Sequence, residues 1–186
     1  MSEKKKFPPT QPSFVGKKVH LRPLTPDDAM SAQHWFNLSE PQSMASLPLP
    51  LRSPAEAAEL AKKAEQSTDR QRLAIVRTED NVLVGRITFF NYNSLNRSAE
   101  LGVLIDPEER KNGYAAEALR ILIRYLFKYR GLNKVYAETA AHNHPTRKLL
   151  ESLNFKQEGV LRQHYFYNGQ FHDKLVYSLL LFESDL

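Results

Sequence analysis

The chain has 186 residues, of which 41% are hydrophobic and 25% charged, with no cysteine and a net charge of +5 from 26 basic against 21 acidic side chains. That length suits one sizeable domain, and the balance is that expected of a soluble globular protein, not a disordered one. Without cysteine, disulfide frameworks, thiolate-ligated zinc, iron–sulfur clusters and a thiol nucleophile are excluded. No apolar run approaches the ~20 residues of a membrane span, and Met1 to Lys6 lead into Pro8, Pro9 and Pro12 without a signal-peptide apolar core. A cytoplasmic protein with no membrane partner is expected. The basic balance, with a pI of about 9.4, suits an anionic partner without choosing among nucleic acid, membrane surface and phosphorylated cofactor.

In chain order, residues 1–13 are rich in proline and lysine and lack periodicity, so a flexible tail is expected. Lys18-Val19-His20-Leu21-Arg22 alternates as a strand within 15–24. Thr25-Pro26-Asp27-Asp28 supplies a capping hydroxyl, a first-turn proline and two acids, predicting a helix to about residue 38. Pro41, Pro48 and Pro50 predict a loop, after which the capping box of Ser53 and Glu56 starts a second helix over about 54–67. From residue 72 the pattern turns to strands: 73–76 and 82–90 around Glu79-Asp80-Asn81, then 98–105, ended by Asp106-Pro107.

A basic loop follows, then a long helix from 113 to about 130. Its Ala115, Ala118, Leu119, Leu122, Ile123, Leu126 and Phe127 line one face, and Gly131 ends it in a left-handed conformation. A strand over 134–140, a short helix over about 145–153 and two aromatic strands, 155–167 and 171–182, complete the chain. Asn168-Gly169 between those strands is a hairpin signal. The order β-α-α-β-β-β-α-β-α-β-β, with no repeat or interior linker, predicts one α+β domain over 14–186.

The segment that carries chemistry is strand 98–105, then Arg110-Lys111-Asn112-Gly113-Tyr114-Ala115, then the long helix. Small residues at a helix start leave backbone N–H groups open, and the helix dipole adds positive charge there. Gly113 and Ala115 let this backbone approach a pyrophosphate, and Arg110 and Lys111 add formal charge. The same string also fits an ordinary basic turn before a core helix. Further on, Asn143-His144-Pro145-Thr146-Arg147 opens the short helix, where Asn143 fits an N-cap.

Taken together, Arg110-x-x-Gly113-x-Ala115 between strand and helix, the run from Asn143 to Leu153-Asn154-Phe155, Glu158-Gly159, and Asn168 to Asp173 with Tyr177 resemble the GNAT superfamily of acyl-CoA-dependent N-acetyltransferases. The likeness covers about residues 14–184, with Asn154 in place of the family's glycine, a residue that tolerates the left-handed conformation. Within the superfamily it is similar to the branch of ribosomal-protein N-terminal and spermidine N-acetyltransferases. The resemblance implies a mixed, mostly antiparallel sheet of about seven strands flanked by about four helices, splayed between its fourth and fifth strands. It implies acetyl-CoA as co-substrate, no metal, and direct transfer to a primary amine, with a protein N-terminus as the expected acceptor and a polyamine or aminoglycoside as the alternative.

Site residues follow from the same likeness. Arg110, Lys111, Asn112, Gly113, Tyr114 and Ala115 correspond to the pyrophosphate loop, and the backbone of Val103, Leu104 and Ile105 to the strand that pairs with the pantetheine amides. Asn143 corresponds to a pantetheine contact, and Arg147, one turn on, is within reach of the phosphates or is a solvated arginine. Leu150 stands where spermidine-type enzymes carry a tyrosine acid, whereas Thr146 keeps the hydroxyl that several ribosomal-protein-type enzymes use to protonate the leaving thiolate.

Glu100 is the expected base for the amine, with a cross-strand salt bridge to Arg97 or Arg86 as the structural alternative. His164, Tyr165 and Asp173 in the terminal hairpin are expected on the acceptor side, with 41–51 nearby; His164 is also a candidate base or a structural histidine, and Asp173 is peptide-binding or structural.

Two other readings compete. Arg120, Arg124 and Lys128 share a helical face that suits nucleic acid less well than solvent, though Tyr165, Phe166, Tyr167 and Phe171 offer a stacking platform. A family member that binds acyl-CoA without catalysis is the other. His142 and His144 lack a third metal ligand nearby, and no G-x-S-x-G elbow occurs. A monomer or homodimer is expected.

Overall fold

The structure is a computed structural model that describes residues 14–38 and 70–185, with Ser53, Ala55, Glu56 and Glu59 between them. The expected tail, the loop 41–51 and most of the expected second helix lie outside the described residues. The start of that helix does not: Ser53 N–H donates to Glu56 Oε2 and Glu56 N–H to Ser53 Oγ, closing the predicted capping box.

The elements are β1 (Val19–Pro23), α1 (Pro26–Leu38), β2 (Gln71–Arg77), β3 (Leu83–Asn93), β4 (Ser98–Ile105), a 3-10 turn (Pro107–Glu109), α2 (Tyr114–Lys128), β5 (Lys134–Ala140), α3 (His144–Glu151), β6 (Lys156–Tyr167), β7 (Gln170–Leu180) and a closing 3-10 turn (Leu181–Glu183). The strands form one seven-stranded sheet in the order β1-β2-β3-β4-β5-β7-β6. Every neighbouring pair is antiparallel except β4–β5, which is parallel. Three α-helices are named among the described residues, against the four or so expected of the whole chain.

α2 fills the core on one face of the sheet. Leu119, Leu122, Ile123 and Leu126 recur at the spacing that keeps one stripe inward, and they pack with Ile87 and Phe89 of β3, Leu101 of β4 and Val135 of β5. Burial of each such side chain stabilises the fold by about 1.5–3 kcal/mol. At the far end Gly131 takes φ +65° and Leu132 N–H reaches back to the Leu126 carbonyl, which closes the helix as expected. Asn154 and Asn168 also take positive φ, at +65° and +49°, so the asparagine that replaces a glycine after α3 does adopt the left-handed conformation.

Two further contacts position the sheet. α1 starts with a capping box in which Thr25 N–H donates to Asp28 and Asp28 N–H to the Thr25 hydroxyl, while Arg22 grips the Asp28 carboxylate with both guanidinium nitrogens. On α2, the Glu117 carboxylate accepts the backbone N–H groups of Lys17, Lys18 and Val19, tying the start of β1 to the helix. β3 runs on to Asn93, past the expected end at 90, through a bulge in its pairing with β4 between Phe90 and Asn93.

Candidate active site

β4 and β5 stay paired for three steps only, Ser98 with Lys134, Ala99 with Val135 and Glu100 with Tyr136. Past that point residues 101–105 keep β3 on one side, and residues 137–140 keep β7 on the other. The inner edges of both strands then present backbone N–H and C=O groups with no strand between them. This wedge is the splay expected between the fourth and fifth strands. Val103, Leu104 and Ile105 lie on its β4 wall, partly exposed. Gly85 lets the end of that wall lie close to β3, because a Cβ there would stand 2.6 Å from the Leu104 carbonyl oxygen.

At the mouth of the wedge, β4 turns through Asp106-Pro107 into the loop 110–113 and α2. Gly113 is the N-cap residue of α2, in the left-handed conformation at φ +83°, and no side chain caps the helix. The first intrahelical bond runs from Glu117 N–H to the Gly113 carbonyl at 3.2 Å, so the N–H groups of Tyr114, Ala115 and Ala116 have no intrahelical acceptor. Arg110 and Lys111 are exposed beside them, and Lys111 itself takes φ +67°.

The loop is braced from behind. Arg77 binds Glu109 and Asp80, while Asn112 Nδ2 donates to the Glu109 carbonyl. Lys18 adds a cation that sequence reading missed: its Nζ donates to the Asn112 carbonyl at 2.9 Å and stands 3.3 Å from where a Gly113 Cβ would be. The signal was hidden because Lys18 lies nearly a hundred positions from the loop, before β1.

The junction after β5 is built differently. Asn143, 3% exposed, accepts the Thr146 N–H on its side-chain oxygen at 3.2 Å and so caps α3. Thr146 is half-buried on the first turn. Arg147 bends back to the Ala141 carbonyl at 3.1 Å, and its Nε is buried without a partner. Arg147 thus braces the loop instead of standing out in solvent.

Glu100 sits at the root of the wedge. Neither Arg86 nor Arg97 pairs with it; Arg97 donates to the Gly131 carbonyl. Its partner is Asn91, whose Nδ2 donates to Glu100 Oε2 at 2.8 Å. Asn91 takes φ +50° in the β3 bulge, which turns its side chain towards the Glu100 face. Alternation alone places it on the core side, so a bulge was needed and none was foreseen.

Burial first, then the nearby Glu138 charge, pushes the Glu100 carboxyl above the usual glutamate range. Glu138 is itself paired with Lys174 at 2.7 Å. Tyr136, opposite Glu100, is held protonated to higher pH by burial and by the Glu100 charge. Glu100, Tyr136, Asn91, Glu138 and Lys174 therefore make one polar cluster at the fork.

The hairpin residues divide. Asp173 Oδ1 accepts the Gln163 N–H at 2.8 Å, and Gln163 sits at φ +50° where the β6–β7 register shifts; Asp173 holds that bulge. His164 is exposed and lies edge-on to Tyr165. Tyr167 stacks on His142, while Phe166 and Phe171 pair on the other face at 66% and 62% exposure. Phe166 and Phe171 are thus turned away from Tyr167, so the expected single stacking platform is not formed. Arg120, Arg124 and Lys128 are exposed on α2. Among the described residues no group of three His, Asp or Glu side chains could hold a metal ion, and no helix is long and apolar enough to cross a membrane.

A forked parallel pair with an uncapped helix start at its mouth matches what comparison with known proteins finds. A family model for the acetyltransferase (GNAT) domain matches residues 18–156, and the chain belongs to that family. Among curated relatives, the putative ribosomal N-acetyltransferase YdaF of Bacillus subtilis is 38% identical over 54% of this chain and 55% of its own. The uncharacterized N-acetyltransferase YoaA of the same organism is 36% identical over 59% and 62%. The chain thus spans a little over half the length of these relatives. A spermidine N(1)-acetyltransferase of Vibrio cholerae is 30% identical over 70% of this chain and 75% of its own. The crystal structure of the spermidine N-acetyltransferase from Vibrio cholerae in complex with CoA and spermine superposes with a TM-score of 0.80 at 26% identity, covering 89% of this chain and 97% of that one.

Proposed function

We propose that this chain transfers an acetyl group from acetyl-CoA directly to a primary amine, the N-terminal amine of a protein. The observation that carries the reading is the open helix start at the mouth of the β4–β5 fork, with Glu100 at its root. The N–H groups of Tyr114 to Ala116, with Arg110, Lys111 and Lys18 around them, suit a pyrophosphate. The free edge at 103–105 suits the amides of the pantetheine arm, with Asn143 on the opposite wall. Acetyl-CoA would supply the activated thioester and leave as the CoA thiol.

The chain's own residues then handle protons. A protonated amine is no nucleophile, so Glu100 accepts its proton, directly or through water, with Asn91 fixing the carboxylate. A free N–H on the β4 edge stabilises the oxyanion, and the Thr146 hydroxyl, on the first turn of α3, protonates the leaving thiolate.

Spermidine-type relatives favour a second reading, a small polyamine acceptor. Titration with acetyl-CoA, followed by thiol release with N-terminal peptides and with spermidine, tests both. Failure to bind acetyl-CoA at tens of micromolar removes the reading as a whole. Faster release with spermidine than with any peptide selects the second.

A further inference from the structure

The face of the sheet that holds Glu100 carries an unexplained row of arginines. Across β3–β4, Phe90 pairs with Glu100, Thr88 with Gly102 and Arg86 with Leu104; across β2–β3, Arg72 pairs with Thr88. Cross-strand partners share a face. Arg72 and Arg86 therefore lie on the same side as Glu100, opposite Ile87 and Phe89, which enter the core. Arg70 joins them, its guanidinium over the Phe90 ring at 4.9 Å.

Two other arginines of the sheet are matched, Arg22 by Asp28 and Arg77 by Asp80 and Glu109, while Arg162 on β6 is exposed to solvent. Among the described residues none of Arg70, Arg72 and Arg86 forms a salt bridge, although Arg70 is near enough to Glu100 to favour its charged form. Arg72 and Arg86 are half-buried, Arg70 is exposed beside Glu100, and like charges crowded in this way weaken the fold unless an anion joins them. Burial first, then the charges of Arg72 and Arg70, bring the Arg86 guanidinium down to about 10.

We propose that Arg70, Arg72 and Arg86 bind the acceptor's anionic groups, so that the substrate is a protein N-terminus with acidic side chains within its first few residues. This rests on the acetyl-transfer reading and names the substrate class of that site. Length selects a peptide over a single amino acid. Same-face residues along a strand are about 6.8 Å apart, so the row from the Phe90 level to Arg86 extends about 14 Å away from Glu100. An extended chain advances about 3.4 Å per residue, which brings its second to fifth side chains along the row while its amine stays at Glu100. The carboxylate of a free amino acid reaches only the near end. A polyamine brings cations to cations.

The test uses the full chain saturated with CoA, titrated calorimetrically with four probes. These are the peptide amide Ser-Asp-Glu-Ala, its neutral counterpart Ser-Asn-Gln-Ala, spermidine and free glutamate. The acidic peptide is expected to bind about tenfold tighter than the neutral one, and tighter than spermidine or glutamate. In the double variant Arg72→Gln, Arg86→Gln that preference falls to about twofold or less, with acetyl-CoA affinity unchanged. Should the double variant not fold, Arg86→Lys keeps the charge but loses the bidentate fork, and about half of the preference, on the logarithmic scale, is expected to go.

Equal binding of both peptides, tighter binding of spermidine or glutamate, or a preference that survives the substitutions overturns the proposal. Thiol release from acetyl-CoA in parallel separates the two readings. Arginine-dependent binding of the acidic peptide without release sinks acetyl transfer and leaves the arginine row standing. Release at equal rates from both peptides does the reverse.

Discussion

The two strands that part at Glu100 each lead into a helix, and the two junctions are finished in opposite ways. After β5, Asn143 folds its side chain over the first turn of α3 and satisfies the Thr146 N–H from within the protein. After β4, Gly113 offers no side chain, and the first N–H groups of α2 are left for a partner from outside. A helix start is thus a structural joint or an anion site according to one residue, the N-cap. Neighbouring positions repeat the contrast: Arg147 turns inward to a carbonyl, whereas Arg110 and Lys111 stay exposed.

The largest effect should come from what both junctions serve. Glu100→Gln keeps the Asn91 contact but cannot take a proton, so kcat should fall by about 100- to 10,000-fold while acetyl-CoA affinity is retained. The sign of the pH dependence is fixed by burial and Glu138, which raise the Glu100 pKa. The carboxylate forms as pH rises through that raised value, so the acidic limb of kcat/KM lies above the ordinary glutamate range in the native protein and is absent in the variant. A native profile whose acidic limb falls where free glutamate titrates removes Glu100 as base.

Closing the open junction comes next. Gly113→Glu places a carboxylate among the free N–H groups, and the Kd for acetyl-CoA should rise by about 100-fold with the circular dichroism spectrum unchanged. Unaltered affinity shows that the phosphates bind elsewhere. Opening the closed junction is milder: Asn143→Ala removes a cap and should cost about 1 kcal/mol in urea unfolding. If acetyl-CoA affinity falls as well, Asn143 serves the cofactor besides the helix. The smallest change is Lys18→Met, expected to weaken acetyl-CoA about threefold and to reduce the salt dependence of binding.

What the sequence showed depended on how far apart the cooperating residues lie. Strand order within hairpins, the α2 stripe, the Gly131 end, the Asn154 turn and the Gly113 junction are all local patterns, and each stands where spacing placed it. The fork itself came only through family likeness, since nothing local tells two parallel strands where to part. Asn91 was hidden by a bulge that reverses its side, Lys18 by distance along the chain, and the arginine row by a register that only the folded sheet provides. Asp173 was legible as a notable acid, but its carboxylate is engaged in holding Gln163.

The clasp at Glu117 adds a consequence for dynamics. The amides of Lys17, Lys18 and Val19 end on a carboxylate of the first turn of α2, and the Lys18 ammonium ends on the loop just before it. Peeling β1 from the sheet therefore disturbs the same turn that would grip the phosphates. Any ligand held there raises the free energy of that local opening in proportion to the logarithm of its concentration over Kd. Amide hydrogen exchange at residues 17–19, remote in sequence from every proposed catalytic group, should slow on saturation with acetyl-CoA and so report occupancy of the site.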